Sequence, residues 1–326
     1  MKTRFSLGQL AVWGLVAVVI ALPPLVKNNY QIFVVTLIGL YTMLTVGLSL
    51  VMGFAGQVSL GHATFYGIGA YAAALLSAMF GLPSWLALIL ATALTGLIGF
   101  FIGIPIFRLR GHYLAMATLG LNVIFSLIIK NEADITGGPS GFAHIPPLSV
   151  GGFVFDSDTK MYYIVWFMAL ATLFISMNVV NSRVGRALRA IHTSEVAAEA
   201  LGVDANTYKL RVFALAAGFA GLSGALYAQA IHFISPSSFD ILVSVELVTM
   251  TAIGGLASVW GSVFGAAAVV FLGQFIRDRM NELLEGASGE QEIIVFGLIL
   301  VVIMVFMPEG VTAGGMKLLR RLRMER

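Results

Sequence analysis

Apolar residues fall in long, nearly unbroken runs at about 10–26, 30–52, 63–80, 84–107, 112–129, 161–180, 210–233, 241–258, 262–276 and 293–308, with shorter polar stretches between them. Such runs approach the ~20 residues a helix needs to cross a hydrocarbon core ~30 Å thick, whereas barrel strands would alternate polar and apolar positions over ~10 residues. The pattern predicts an all-α polytopic transmembrane helical bundle of about ten spans, forming one domain over 1–326. The stretch 241–276 is too long for one span and is interrupted at Gly254, Gly255 and Gly261, so it reads as two. The first run follows Lys2 and Arg4 and has the small residue Ala21 where a secretory leader would be cleaved. Its length, and the Pro23 and Pro24 that close it, favour a retained first helix.

Charge sets the orientation. With ten spans and an inside N-terminus, Lys2, Arg4, Arg108, Arg110, Arg183, Arg186, Arg189, Lys209, Arg211, Lys317, Arg320, Arg321, Arg323 and Arg326 fall inside. Only Lys27, Lys130, Lys160, Arg277 and Arg279 of the 19 basic residues fall outside, which is the bias that orients membrane helices. Both termini are therefore expected in the cytoplasm, with 309–326 as a basic cytoplasmic tail, 130–160 as an external loop and 181–209 as the largest internal loop.

Composition narrows the function classes. Charged residues are 11% of the chain and hydrophobic ones 59%, against about 25% charged in soluble domains, so lipid is the expected main solvent. The basic pI of about 9.2 is explained by loop charges that form no aromatic-interleaved face, so nucleic acid is not an expected partner. There are no cysteines, which excludes disulfides and thiolate metal sites. His62, His112 and His144 are scattered and no HExxH spacing occurs, so neither a metal site nor a membrane enzyme is indicated. An ion-coupled transporter would need intramembrane ionisable groups, and beyond Glu246 and the edge histidines there are few.

Several positions interrupt the apolar pattern. GFAGQVSLGHATFYGIGAY at 53–71 sets Gly53, Gly56, Gly61, Gln57, Ser59 and His62 into an apolar region at its cytoplasmic edge. It reads either as a broken helix along a transport path or as a tight turn capped by Ser59. Glu246, six positions after Asp240, is either an interfacial carboxylate or a pathway or helix-pairing group, and Asn122 either bonds a neighbouring helix or faces a pore. Gly99 with Gly103, Ala217 with Gly221 and Ala225, and Gly261 with Gly265 form small-residue faces that predict close helix packing. The external ITGGPSG at 135–141 predicts turns over the bundle mouth at Thr136, Gly137, Gly138 and Pro139, as either a solvated connector or a docking surface.

The internal loop has the strongest local grammar. Arg183, Arg186 and Arg189 recur every three residues on one helical face. Ser194 can cap a short helix with Glu195 in its first turn, Gly202 follows the run VAAEAL where a left-handed terminator belongs, and Asp204 can cap the next helix. The pattern predicts a short helix across the cytoplasmic face, presenting a small-residue side around Ala198 and Gly202 to a partner's groove, with Lys209 as an exposed rim charge.

Taken in order, GQVSLGHATFYGIGAY, RLRGHYLAMATLG at 108–120, ITGGPSGF at 135–142, SRVGRALRAIHTSEVAAEALGVD at 182–204 and IGGLASVWGSVFGAA at 253–267 resemble the LivH/LivM family of hydrophobic amino acid importer permeases, closest to the LivM type. The resemblance covers roughly residues 30 to 310. It implies a type II-like ABC importer permease in a bacterial inner membrane, working by alternating access for branched-chain or other hydrophobic amino acids. The family also includes urea and short-amide permeases. The implied partners are a LivH-like permease, two LivG/LivF-like ATPase subunits and a periplasmic or lipid-anchored substrate-binding protein. ATP and Mg belong to the ATPases, since this chain has no GxxxxGK[ST] phosphate loop and no cofactor of its own is expected. By position, Arg183 to Asp204 resembles the loop that meets the ATPase, with Glu199, Ala200 and Gly202 echoing the EAA-type pattern.

Overall fold

The computed structural model describes residues 7–26, 28–109, 111–283 and 297–298. The basic tail at 309–326 and most of the last apolar run lie outside the described residues. Each earlier run is a helix. The first five are α1 (Leu7–Leu25), α2 (Asn29–Leu48), α3 (His62–Ala78), α4 (Ser84–Ile106) and α5 (His112–Asn131). After the one-turn α6 (Ala133–Thr136) come α7 (Asp158–Asn181), the short α8 (Arg183–Thr193) and α9 (Glu195–Ala200), and then the 27-residue α10 (Ala205–Ile231). The last two are α11 (Ile241–Gly254) and α12 (Val259–Leu283).

Among the described residues, six helices are long and apolar enough to cross a membrane, and the last of the ten apolar runs lies mostly outside those residues. Two further runs make shorter helices: α3 has 17 residues because the chain is broken before His62, and α11 stops after 14 because Gly255 takes φ +102° and turns the chain into α12. The stretch 241–276 is thus two elements, as its glycines predict.

α10 is the centre of the bundle, packed against α4, α3 and α2. Its inward face is built from Ala216, Ala217, Ala220, Gly221, Gly224, Ala225 and Ala228, all buried. Because lipid tails are as apolar as side chains, helices in a bilayer are held by close packing, and small residues permit it. Here the approach is backbone to backbone: a methyl carbon added at Gly69 would overlap Gly221, and one added at Gly224 would overlap the Tyr66 carbonyl. Gly254 and Gly261 meet in the same way between α11 and α12. The outer helices present Ile89, Leu94, Leu97 and Phe101 on α4, Ile124, Leu127 and Ile128 on α5, and Phe167 and Phe174 on α7. An outward apolar surface of this extent marks contact with lipid or with another membrane subunit.

Segment 130–160 is a folded cap rather than a loose connector. The Thr136 hydroxyl donates to the Ile129 carbonyl at 2.6 Å and accepts from the Gly138 N–H at 3.2 Å, tying the turn to the end of α5. β1 (Phe142–Ala143) pairs antiparallel with β4 (Phe233–Ile234), just beyond α10, while β2 (Ser149–Val150) and β3 (Phe153–Val154) make a small hairpin. The Ser84 hydroxyl donates to Pro147 at 2.8 Å, so the cap also grips the start of α4. Beyond the hairpin, Lys160 lies 2.7 Å from Asp156 and holds that exposed carboxyl below its ordinary range.

Candidate functional site

At the opposite end of α7 the chain folds back through α8 and α9 before entering α10, and each turn is closed by a side chain. Ser182 accepts from the Val184 N–H at 3.1 Å, Ser194 from Ala197 at 3.3 Å and Asp204 from Thr207 at 3.1 Å. These are the N-cap bonds that satisfy amides a helix start leaves unpaired. Thr207 holds the Asp204 carboxyl below its ordinary range. α9 ends in a Schellman turn, with Val203 N–H donating to Ala198 (3.0 Å), Gly202 N–H donating to Glu199 (2.9 Å), and Gly202 at φ +84°. Only glycine adopts that backbone without strain.

The face presented outward differs from the expected one. Ala198 is buried against Ile191 and Ala205, so the small-residue side of α9 is spent inside the subunit. The exposed side carries Val196, 71% exposed, and Leu201, 85% exposed, with Glu199, Ala200 and Gly202 beside them. Arg183, Arg186 and Arg189 are all exposed on α8, whose buried side is Gly185, Leu188 and Ile191. The unit therefore offers an apolar knob next to a row of guanidinium groups.

Its inner side grips the broken helix. α2 continues past Leu48 into a π-turn over Ser49–Phe54, and irregular backbone then runs to His62. His192, at the end of α8, places Nδ1 2.8 Å from the Gly53 carbonyl, while Gly56 at φ +68° lies under the same imidazole. The Ser49 hydroxyl donates to Leu256 at 2.7 Å, and a side chain at Gly53 would overlap that same Leu256 carbonyl. The break, the Gly254–Gly255 turn and the α8–α9 unit thus meet at one place. Sequence reading singled out each separately and missed His192, the residue that joins two of them. Its signal was weak, being one polar side chain in a loop already rich in them.

Lys209 also departs from expectation. It is 3% exposed rather than a rim charge, and its Nζ lies 2.6 Å from Glu195 Oε2. Glu195 thus turns inward to α10 instead of outward to a partner. A cavity of about 210 Å³ lies beside the pair, lined in part by Gln57, His112 and Leu114.

The other flagged residues lie deeper in the bundle or along α11. Ser59 does not cap α3. It is buried without a hydrogen-bond partner, and the α3 start is served instead by Thr118, which accepts from Leu60 N–H at 3.0 Å, and Ser244, which accepts from Ala63 N–H at 3.1 Å. His62, first in α3, is 1% exposed. Glu246 is partly buried in the second turn of α11. Asn122 is fully buried and donates to Thr64 Oγ1 at 3.2 Å and to the Phe239 carbonyl at 3.3 Å, so within this chain it bonds neighbouring elements. Asn122→Leu is expected to destabilise the detergent-solubilised protein by about 1 kcal/mol, the usual scale of a polar contact between membrane helices, with uptake within twofold of wild type. A collapse of uptake at unchanged thermal stability would give the amide a transport role instead.

A small-residue bundle of long apolar helices with apolar outer sides defines a polytopic helical membrane protein. Residues 30–307 match the family described as branched-chain amino acid transport system / permease component, and the chain belongs to that family. It is 30% identical over 325 residues to the high-affinity branched-chain amino acid transport system permease protein LivM of Salmonella typhimurium, covering 93% of this chain and 74% of that one. To the LivM protein of Escherichia coli it is 30% identical, with 88% and 71% covered. A LivH permease of Salmonella typhimurium is 26% identical, with 85% and 92% covered. Among solved structures, PsaBC from Streptococcus pneumoniae in complex with Fab aligns at a TM-score of 0.45 and 14% identity over 90% of this chain and 95% of that one, too loosely to bear on the fold.

Proposed function

We propose that this chain is the membrane-spanning permease subunit of an ATP-driven importer for branched-chain or other hydrophobic amino acids. It works beside a LivH-like permease and two LivG/LivF-like ATPase subunits, with substrate delivered by a periplasmic or lipid-anchored binding protein. The substrate class rests on the LivM relatives, which align across most of this chain. The observation that carries the coupling role is the α8–α9 unit, which shows Leu201, Val196 and three arginines outward while its inner side is bonded to the helix break through His192. ATP-driven closure of the ATPases would press on that unit, and the bundle would open first to one side and then to the other.

In this reading the chain makes ten spans with both termini in the cytoplasm, places 130–160 outside, and leaves ATP and Mg to its partners. The positive-inside charge partition supports that orientation. Reporter fusions after Lys130 and after Lys317 are expected to give opposite sidedness, and matching signals would sink the ten-span arrangement. The absence of cysteine allows a direct test of coupling. In the assembled transporter, Leu201→Cys should cross-link to an ATPase subunit, and vesicles holding ATP should accumulate leucine. Leucine uptake that proceeds without ATP would overturn the proposal.

A further inference from the structure

We propose that the Glu195–Lys209 ion pair is the strut through which α9 moves α10, making both of them positioning residues for transport. The inference rests on the importer reading above and assigns it a transmission element within this chain. α9 is six residues long and its buried apolar contribution is Ala198, which packs with Ile191, Ala205, Tyr208 and Val203 of the turn that follows. Contacts of that size allow a short helix to rock against its neighbours. Against this, Glu195 is the first residue of α9, Lys209 lies one turn inside α10, and their 2.6 Å contact joins the two helices with Lys209 shut away from solvent. A charge-assisted bond between ionised groups is short and directional, and its ends cannot slide without leaving a charge unpaired.

What the strut connects gives it a use. α10 is the most extensively packed helix in the bundle, touching α2, α3, α4 and α8, so a displacement at its first turns is carried into the core. The cavity of about 210 Å³ beside the pair separates it from Gln57, Val58 and His112. The tie therefore has free space on one side in which to tilt, and it is not wedged in place by the broken segment. His192 fixes α8 to Gly53, while Glu195 fixes α9 to α10, so the outward knob is linked to two different parts of the bundle by two polar contacts.

A purely structural pair is replaceable by apolar side chains of similar volume, often without loss of stability, whereas a directional tie is not. The test uses the complete transporter in vesicles, reading leucine uptake per ATP hydrolysed together with co-purification of the ATPase subunits. In the double variant Glu195→Leu with Lys209→Met, the subunits are expected to co-purify while uptake per ATP falls at least tenfold. Glu195→Gln keeps the shape and one hydrogen bond but removes the charge, and should lower the same ratio severalfold. The conservative Lys209→Arg should retain most of it. A wild-type ratio in the apolar double variant or in Glu195→Gln would overturn the strut. Failure of the unmutated complex to couple ATP to uptake would instead bring down the importer reading itself, so the two failures are separable.

Discussion

Gly224→Val is expected to abolish the folded permease. A methyl carbon at that position would overlap the Tyr66 carbonyl and sit 2.8 Å from the Ala70 amide nitrogen, both part of the α3 backbone. Backbone cannot swing aside as a flexible side chain can, and one turn away Gly221 already lies against Gly69, so the crossing cannot open at one point alone. Overpacking a yielding core costs about 1–3 kcal/mol, but separating α10 from α3 here would sacrifice the central contact of the bundle, and the expected loss exceeds about 4 kcal/mol. The measurement is the amount of monodisperse protein recovered from membranes and its thermal transition in detergent. Gly120→Ala on α5, with nothing within 4 Å of the added carbon, serves as the control and should shift stability by less than about 0.5 kcal/mol. A Gly224→Val protein that melts like wild type would mean that the α3–α10 crossing is looser than the structure shows.

The helical runs and the capped turns were legible because they depend on local chemistry. Ser194, Asp204 and Gly202 act on amides and carbonyls within a few residues, and the structure gives each the bond its type predicts. The small-residue faces were legible for a similar reason, since in lipid a stripe of glycine and alanine has one main use. What could not be read was direction. Ala198 lies in the six-residue α9 and Leu201 caps its end, and which of them points inward is decided by α8 and α10, not by the local spacing.

Lys209 was misread for the complementary reason. A lysine in a basic loop is normally solvated, and its partner Glu195 lies across the turn that separates α9 from α10, so the two belong to different helices and no single helical face relates them.

Leu201→Glu is expected to leave the permease folded and to empty it of its ATPases. The side chain is 85% exposed, so replacing it removes almost no contact inside this subunit, and the Schellman bonds of α9 come from backbone groups that the substitution keeps. Stability of the isolated chain should change by less than about 0.5 kcal/mol. The interface is a different matter. Burying a leucine is worth about 1.5–3 kcal/mol, and a carboxylate at a contact made for an apolar side chain must also be desolvated, so the affinity for the ATPases should fall on the order of 100-fold or more. Leu201→Met keeps the volume and apolarity and should bind within a fewfold of wild type. Changing Ala200 to Ser, on the same exposed side, tests whether the effect is specific to the knob and should cost little. Co-purification of the ATPase subunits and ATP-driven leucine uptake are read for all three variants. Loss confined to Leu201→Glu identifies the tip of α9 as the part that enters the partner. If Leu201→Glu binds and transports like wild type, the contact lies elsewhere, and the row of Arg183, Arg186 and Arg189 becomes the surface to test.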